Sequence, residues 1–188
     1  MGRLVVDQIE GRSGNANTIT IPTGHNLYAP GGIVQVVQTV FADTWSAGGS
    51  ATTWYTVTNL NTTIIPKTST SKILIKTSLA IGSGYWEIQG RYLRNDTAIG
   101  LGNTRGSRSR CTFLDNRYYS GGVRNGWGTV SAEYIDSPTT TGEITYKVQL
   151  NGYSSYTIGV NYNPYSDPDS SDYFGTPIST MTLMEIAQ

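Results

Sequence analysis

Arg105, Arg108 and Arg110 crowd into the segment NTRGSRSRC, and Arg117 and Arg124 follow. Five of the thirteen Lys and Arg residues thus fall within twenty positions. A guanidinium is planar, permanently charged and fork-shaped, which suits it to bidentate recognition of carboxylates and phosphates. The cluster is an anion-binding candidate, for an acidic glycan, a lipopolysaccharide phosphate or an acidic protein surface. The competing reading is a solvated loop balanced by Asp115 and by acidic residues of a neighbour. Tyr118, Tyr119 and Trp127 flank the glycine stretch SGGVRNG, and Tyr162, Tyr165, Tyr173 and Phe174 line the last long loop. Aromatic faces stack on the apolar side of sugar rings, and loop tips are where binding residues usually sit. The alternative is that these rings pack over the end of the domain or into a subunit contact.

The remaining reactive residues point away from catalysis. Asp167, Asp169 and Asp172 in YSDPDSSDY have the density of a calcium loop but lack the Gly and the closing Glu of an EF-hand. A solvated acidic loop explains them as well, since Asp before Pro favours turns. His25 is the sole histidine, so it has no partner for zinc or for a triad. Cys111 is the sole cysteine, which excludes an intrachain disulfide, and it reads as a small buried residue. Glu87 and Glu133 are the pair a glycosidase would need, yet sequence cannot bring them to the required separation. No phosphate loop, nucleophile elbow or dinucleotide fingerprint is present. The expectation is a protein without enzymatic activity, cofactor or metal.

Composition narrows the partners. Formal net charge is zero, so nothing favours nucleic acid or an acidic membrane surface. Charged residues make up 14%, against the roughly 25% usual for soluble domains. A surface so poor in charge suits an assembled subunit better than a free monomer. No apolar run approaches the roughly 20 residues that span a bilayer, and the N-terminus has no signal-peptide core. The expected location is a cytoplasm until assembly, with no membrane insertion.

The elements that must position these residues are strands. In KILIKTSLAI, the residues Ile73, Ile75, Leu79 and Ile81 share one face, and Lys72, Lys76 and Ser78 the other. In EITYKVQL, the residues Ile144, Tyr146, Val148 and Leu150 alternate with Thr145, Lys147 and Gln149. Both read as half-buried antiparallel strands. IVQVVQTVF is apolar on both faces, with Val34, Val36 and Val40 on one and Val37 and Phe41 on the other. It is expected to be covered twice, in a sandwich interior or at a subunit interface. Further strands are expected at Trp54–Val57, Thr62–Ile65, Tyr85–Leu93, Val130–Asp136, Tyr156–Val160 and Met181–Ile186, separated by turn chemistry such as AGGS, NLN, GSG and NGYSS. Many short strands without alternating helices predict an all-β, antiparallel β-sandwich of jelly-roll type over residues 31–188.

Residues 1–30 read as a separate N-terminal β arm. Its strands, Leu4–Ile9 and Thr18–Ile21, carry Leu4, Val6, Ile9, Ile19 and Ile21 as their apolar set. An isolated hairpin is at best marginally stable in water, so this arm must borrow a core from another copy or a larger partner.

The pattern LVVDQIEGRSGN…ITIPTGH.L.APG is similar to the N-terminal segment of many bacteriophage tail-fibre and virion-appendage proteins. IIPKTSTSKILIKTSLAIG, YIDSPTTTGEITYKVQL and STMTLMEIAQ look like successive strands of the same proteins. The resemblance covers most of the chain and thins over residues 101–128 and 161–177. It implies a β-rich homotrimer in a virion, assembled in the host cytoplasm. The arm would join it to other virion proteins, and an exposed head would bind the host surface, through a glycan among other receptors. It carries no established site residues and implies no catalysis. The long repetitive shaft usual in such fibres is missing. That agrees with a short fibre, a terminal knob bound to another shaft protein, or, as the alternative function, a capsid decoration or cement protein with a purely architectural role; a virion-associated glycosidase is a separate third reading.

Overall fold

The computed structural model describes residues 29–48, 50–83, 87–116, 126–152, 156–164 and 175–188. Residues 1–28 of the expected arm, with Leu4, Val6, Ile9, Ile19, Ile21 and His25, lie outside the described residues. Those residues form only strands: β1 (Ile33–Phe41), β2 (Trp45–Ala47), β3 (Ser50–Ile64), β4 (Lys72–Ser83), β5 (Glu87–Arg94), β6 (Thr97–Ile99), β7 (Phe113–Asn116), β8 (Gly126–Asp136), β9 (Ile144–Gly152), β10 (Ile158–Val160) and β11 (Ser179–Ile186).

Two antiparallel sheets result. In the first, β4 pairs β8 along its whole length on one edge. Its other edge is shared, with β11 on Lys72–Ser78 and β10 on Ile81–Ser83. β1 then pairs β11, and β2 pairs β10. In the second sheet, β9 lies between β3 and β5, and the free edge of β5 is shared by β7 and β6. The couples β1/β2, β6/β7 and β10/β11 each continue one column. Counting each couple as one strand leaves eight, ordered 1-8-3-6 in one sheet and 2-7-4-5 in the other. Strand 1 pairs 8, 2 pairs 7, 3 pairs 6 and 4 pairs 5, the pattern of one long antiparallel hairpin rolled into two sheets. This is a jelly roll, and the all-β sandwich expected from sequence is what the chain forms.

Alternation decides which side chains enter the core. Ile73, Ile75, Leu79 and Ile81 of β4 face Ile144, Tyr146, Val148 and Leu150 of β9, with Ile88 and Tyr92 of β5 and Leu183 of β11 between them; all are buried. The polar groups that enter this core are partnered, as buried polar atoms must be. The Tyr92 hydroxyl donates to the Ala132 carbonyl at 3.0 Å and shares a 2.7 Å hydrogen bond with Thr77 Oγ1, so it links the two sheets. Burial, more than any neighbour, pushes its pKa up to about 12. Arg94 and the Tyr146 hydroxyl both bind the buried Asp136 carboxylate. Asn161, at φ 54°, donates to the carbonyls of Phe41 and Asp43 and accepts from Ser179, which fastens the end of the sandwich. The Glu185 carboxylate receives Gln35 Nε2 and the Lys67 backbone N–H, which anchors the β3–β4 loop to β11.

Several expected boundaries differ. Trp54–Val57 and Thr62–Ile65 are one strand, β3. The NLN segment between them is absorbed as an irregularity in its pairing with β9, with Asn59 at φ 65°. Tyr85 falls outside the described residues, and β5 runs on to Arg94. β8 starts four residues earlier than expected, and Trp127 lies inside it, opposite Gly82. β2, β6 and β7 were not anticipated; at three or four residues each they are too short to show a period. Within this chain, β1 is covered on one face only. Phe41 is buried and Val37 packs against the core, while Val36 and Val40 remain 55% and 54% exposed. A pairing irregularity at Val34 takes that residue out of the alternation.

Candidate functional site

The arginine segment is the turn of a loop between β6 and β7. The Gly102 N–H donates to the Cys111 carbonyl at 3.2 Å, closing the loop's base, and the Arg108 N–H reaches the Arg105 carbonyl across its tip. Gly106 occupies the left-handed region at φ 57°, which an L side chain rarely adopts. Arg105, Arg108 and Arg110 are all exposed. Arg110 is committed to the loop itself, since its Nε donates to the Gly102 carbonyl at 2.7 Å. Arg108 is not so committed: it stands over a groove of about 460 Å³ on the outer face of the second sheet.

Strands β5 and β7 form the rest of that groove. Glu87 and Gln89 project from β5, Leu114 from β7, and Ser109 and Cys111 from the loop. Gln89 Nε2 donates to Glu87, whereas Gln89 Oε1 is shut off from solvent without any hydrogen-bond partner. Leu114 is half exposed, an apolar floor between polar walls. Cys111 is only half-buried, so the expectation of a buried structural thiol is corrected: the loop lifts it out of the core and into this wall. Burial first, and then the negative charge of Glu87, push its pKa up, which keeps it a thiol at neutral pH.

Next along β5, a line of side chains crosses three strands. Arg91 Nε donates to Gln149 Oε1 at 2.8 Å, and Gln149 Nε2 donates to Thr56 Oγ1 at 3.0 Å. The Arg91 guanidinium lies over the Trp54 ring, 4.2 Å from its centre. Cation–π contact and hydrogen bond together fix the plane of the guanidinium. Burial lowers the Arg91 pKa from its ordinary value, yet the group stays charged at any physiological pH.

The other expected site residues are placed as follows. Tyr118, Tyr119, Arg117, Arg124, Tyr165, Tyr173, Phe174 and the three aspartates 167, 169 and 172 lie outside the described residues. Glu87 and Glu133 stand on the outer faces of opposite sheets, and Glu133 lies 3.9 Å from Lys76 instead. They do not form the carboxylate pair a glycosidase needs, because strand alternation turns each away from the shared core. Among the described residues, no group of three or more His, Cys, Asp and Glu could hold a metal ion, and no helix is long and apolar enough to cross a membrane. Sequence reasoning named Arg108 but missed Gln89, Arg91, Trp54 and Gln149. The alternation of EIQGRYLR was the available signal: it sets Glu87, Gln89 and Arg91 opposite Ile88 and Tyr92.

A second surface lies on the outer face of the first sheet. Register places Val36, Met184, Leu74 and Ile135 in one row across β1, β11, β4 and β8. Val36 and Ile135, at the two ends of the row, expose half or more of their surface. The next row is Gln38, Thr182, Lys76 and Glu133, which runs along a groove of about 740 Å³ bordered by Val36 and Met184 on one side and by Thr180, Ser78 and Ser131 on the other.

No protein-family model and no curated protein matches the sequence. Among solved structures the chain is similar to the VP2 subviral particle of infectious bursal disease virus, at 10% identity and a TM-score of 0.38, over 82% of this chain and 37% of that one. It is also similar to infectious bursal disease virus of the Gt strain, at 8% identity and a TM-score of 0.38, over 91% of this chain and 42% of the other. The chain therefore spans less than half the length of these structures.

Proposed function

We propose that this chain is a non-enzymatic structural protein of a virion, the head of a homotrimeric fibre or appendage on a phage particle that adheres to the host surface. It is built in the host cytoplasm and joined to other virion proteins through the arm residues Leu4, Val6, Ile9, Ile19 and Ile21. The observation that carries this reading is the uncovered apolar row Val36–Met184–Leu74–Ile135 on a jelly roll whose own core is complete. A row of this kind marks an interaction surface. Further copies of the chain are its occupants, because Lys76 and Glu133 stand side by side in the next row and offer a neighbouring copy both signs of charge. Closed cyclic symmetry covers the face in every subunit, and three copies agree with the tail-fibre resemblance. The sparse charge of the whole chain supports the same conclusion.

Sedimentation equilibrium in dilute buffer tests it. The expected mass is about three times the 20.4 kDa of one chain. Replacing Val36 and Ile135 together with lysine should return a folded monomer, since both side chains are half exposed and contribute little to the core. A wild-type monomer, or a double variant that stays trimeric, contradicts the assembly face. A trimer that binds no host cell would make the protein a capsid decoration or cement protein instead.

A further inference from the structure

The outer face of the second sheet gathers more unmatched hydrogen-bonding capacity than a solvated sheet requires. Gln89 Oε1 is an acceptor buried without a partner, and such an atom calls for an explanation. Across the groove, the Arg108 guanidinium makes no ion pair or hydrogen bond among the described residues, and neither do the two Nη groups of Arg91. Glu87 adds a carboxylate acceptor, and Leu114 an exposed apolar floor. Gln89 and Arg91 sit two residues apart on one face of β5, with their backbones only about 7 Å apart, so the Trp54–Arg91 stack is next to the groove.

We propose that this face, from the groove under Arg108 to the Trp54–Arg91 stack, binds an oligosaccharide that carries carboxylate groups. The inference deepens the adhesion reading and rests on it. Each part of such a ligand has a counterpart. Its carboxylates meet the forks of Arg108 and Arg91, which bind such groups through paired hydrogen bonds. Its hydroxyls donate to Glu87, and they reach Gln89 Oε1, which is shut off from solvent in the free protein, when the Gln89 amide rotates toward the groove. The apolar face of one sugar ring lies on Leu114. A groove of about 460 Å³ falls within the roughly 300–1,000 Å³ that small-ligand sites occupy. A neutral sugar offers the two guanidinium groups only hydroxyl acceptors and no counter-charge, which is why the acidic class is favoured. Arg105, at the loop tip but outside the groove, is not needed.

The sole cysteine supplies a local readout, because Cys111 is in the groove wall. The probe is a tetragalacturonate, with maltotetraose as the neutral control, added to the full-length protein during alkylation of Cys111 followed by mass. Tetragalacturonate should slow alkylation at least about fivefold and maltotetraose should not. Arg108→Ala, on an exposed loop, should weaken tetragalacturonate binding about tenfold or more and abolish the protection with the melting temperature unchanged. Gln89→Leu should weaken binding in the same direction. No protection in the wild type, or protection that survives both variants, overturns the proposal. Attachment of the head to host cells is measured alongside. If attachment persists while the protection is absent, the adhesion reading stands and the receptor lies elsewhere. If the protection is seen and no cell is bound, adhesion fails while the saccharide site stands.

Discussion

Glu185→Ala is expected to destabilise the fold by roughly 3–5 kcal/mol, lowering the melting temperature by roughly 6–20 °C. The carboxylate is fully buried and is the common acceptor for Gln35 Nε2, the Lys67 N–H, the Ser71 hydroxyl and the Thr68 N–H. Truncation leaves those donors inside the protein without an acceptor, and each costs more than an exposed one would. Burial alone would raise the Glu185 pKa. The hydrogen bonds from Ser71, Gln35, Lys67 and Thr68 together outweigh it, and the folded value lies below the ordinary 4.5. A folded pKa depressed in this way contributes stability above the unfolded value, lost as pH falls through the folded one. Thermal melts from pH 7 to 3 should therefore show an acid-labile wild type and a less stable, flatter Glu185→Gln variant. An alanine variant melting within about 2 °C of wild type would contradict this account of the β3–β4 loop.

Gly159→Ala should be as damaging, for a backbone reason. A Cβ built on Gly159 would lie 2.1 Å from the Tyr162 carbonyl oxygen, an atom that no rotamer change can move. Gly82, its partner in β4, is under the same turn, with its added Cβ 2.9 Å from the Asn163 Cα. The substitution must displace the residue 161–164 turn, and with it the Asn161 bonds to Phe41, Asp43 and Ser179. A loss of about 3 kcal/mol or more is expected in urea titrations, at the upper end of what overpacking costs. Gly90→Ala meets an equally short obstacle, 2.0 Å, but the obstacle is the Phe113 ring. Pairing it with Phe113→Ala should recover part of its loss, whereas no side-chain truncation should rescue Gly159→Ala. A Gly159→Ala protein as stable as wild type would sink the close-approach argument.

The fold was legible where strands were long and half-buried. β4 and β9 announce themselves by strict alternation, because each has one face in the core and one in water. β1 announces something else, an apolar second face that this chain alone does not cover. The sequence misled at β3, where Asn59 and its neighbours read as a turn although pairing with β9 carries the strand through an irregularity. It was silent on β2, β6 and β7, whose three or four residues are held by the strands beside them and not by any pattern of their own. The site was half legible for a related reason. Local composition picked out Arg108, but the groove beneath it depends on β5 pairing β7, and the Arg91 line on β9 lying between β3 and β5. Register between strands distant in sequence is set by the whole fold, so no window of residues contains it.

The central claim is an assembled head with its first sheet turned toward sibling copies and its second sheet turned outward. Electron cryomicroscopy of intact particles, with this fold fitted to the density, tests that claim most directly. The account predicts three copies about a threefold axis, Val36 and Ile135 covered at their contacts, and Arg108 with Leu114 facing solvent. Isolated copies with the Val36–Ile135 row open to solvent, or a second sheet buried against the particle, would contradict it.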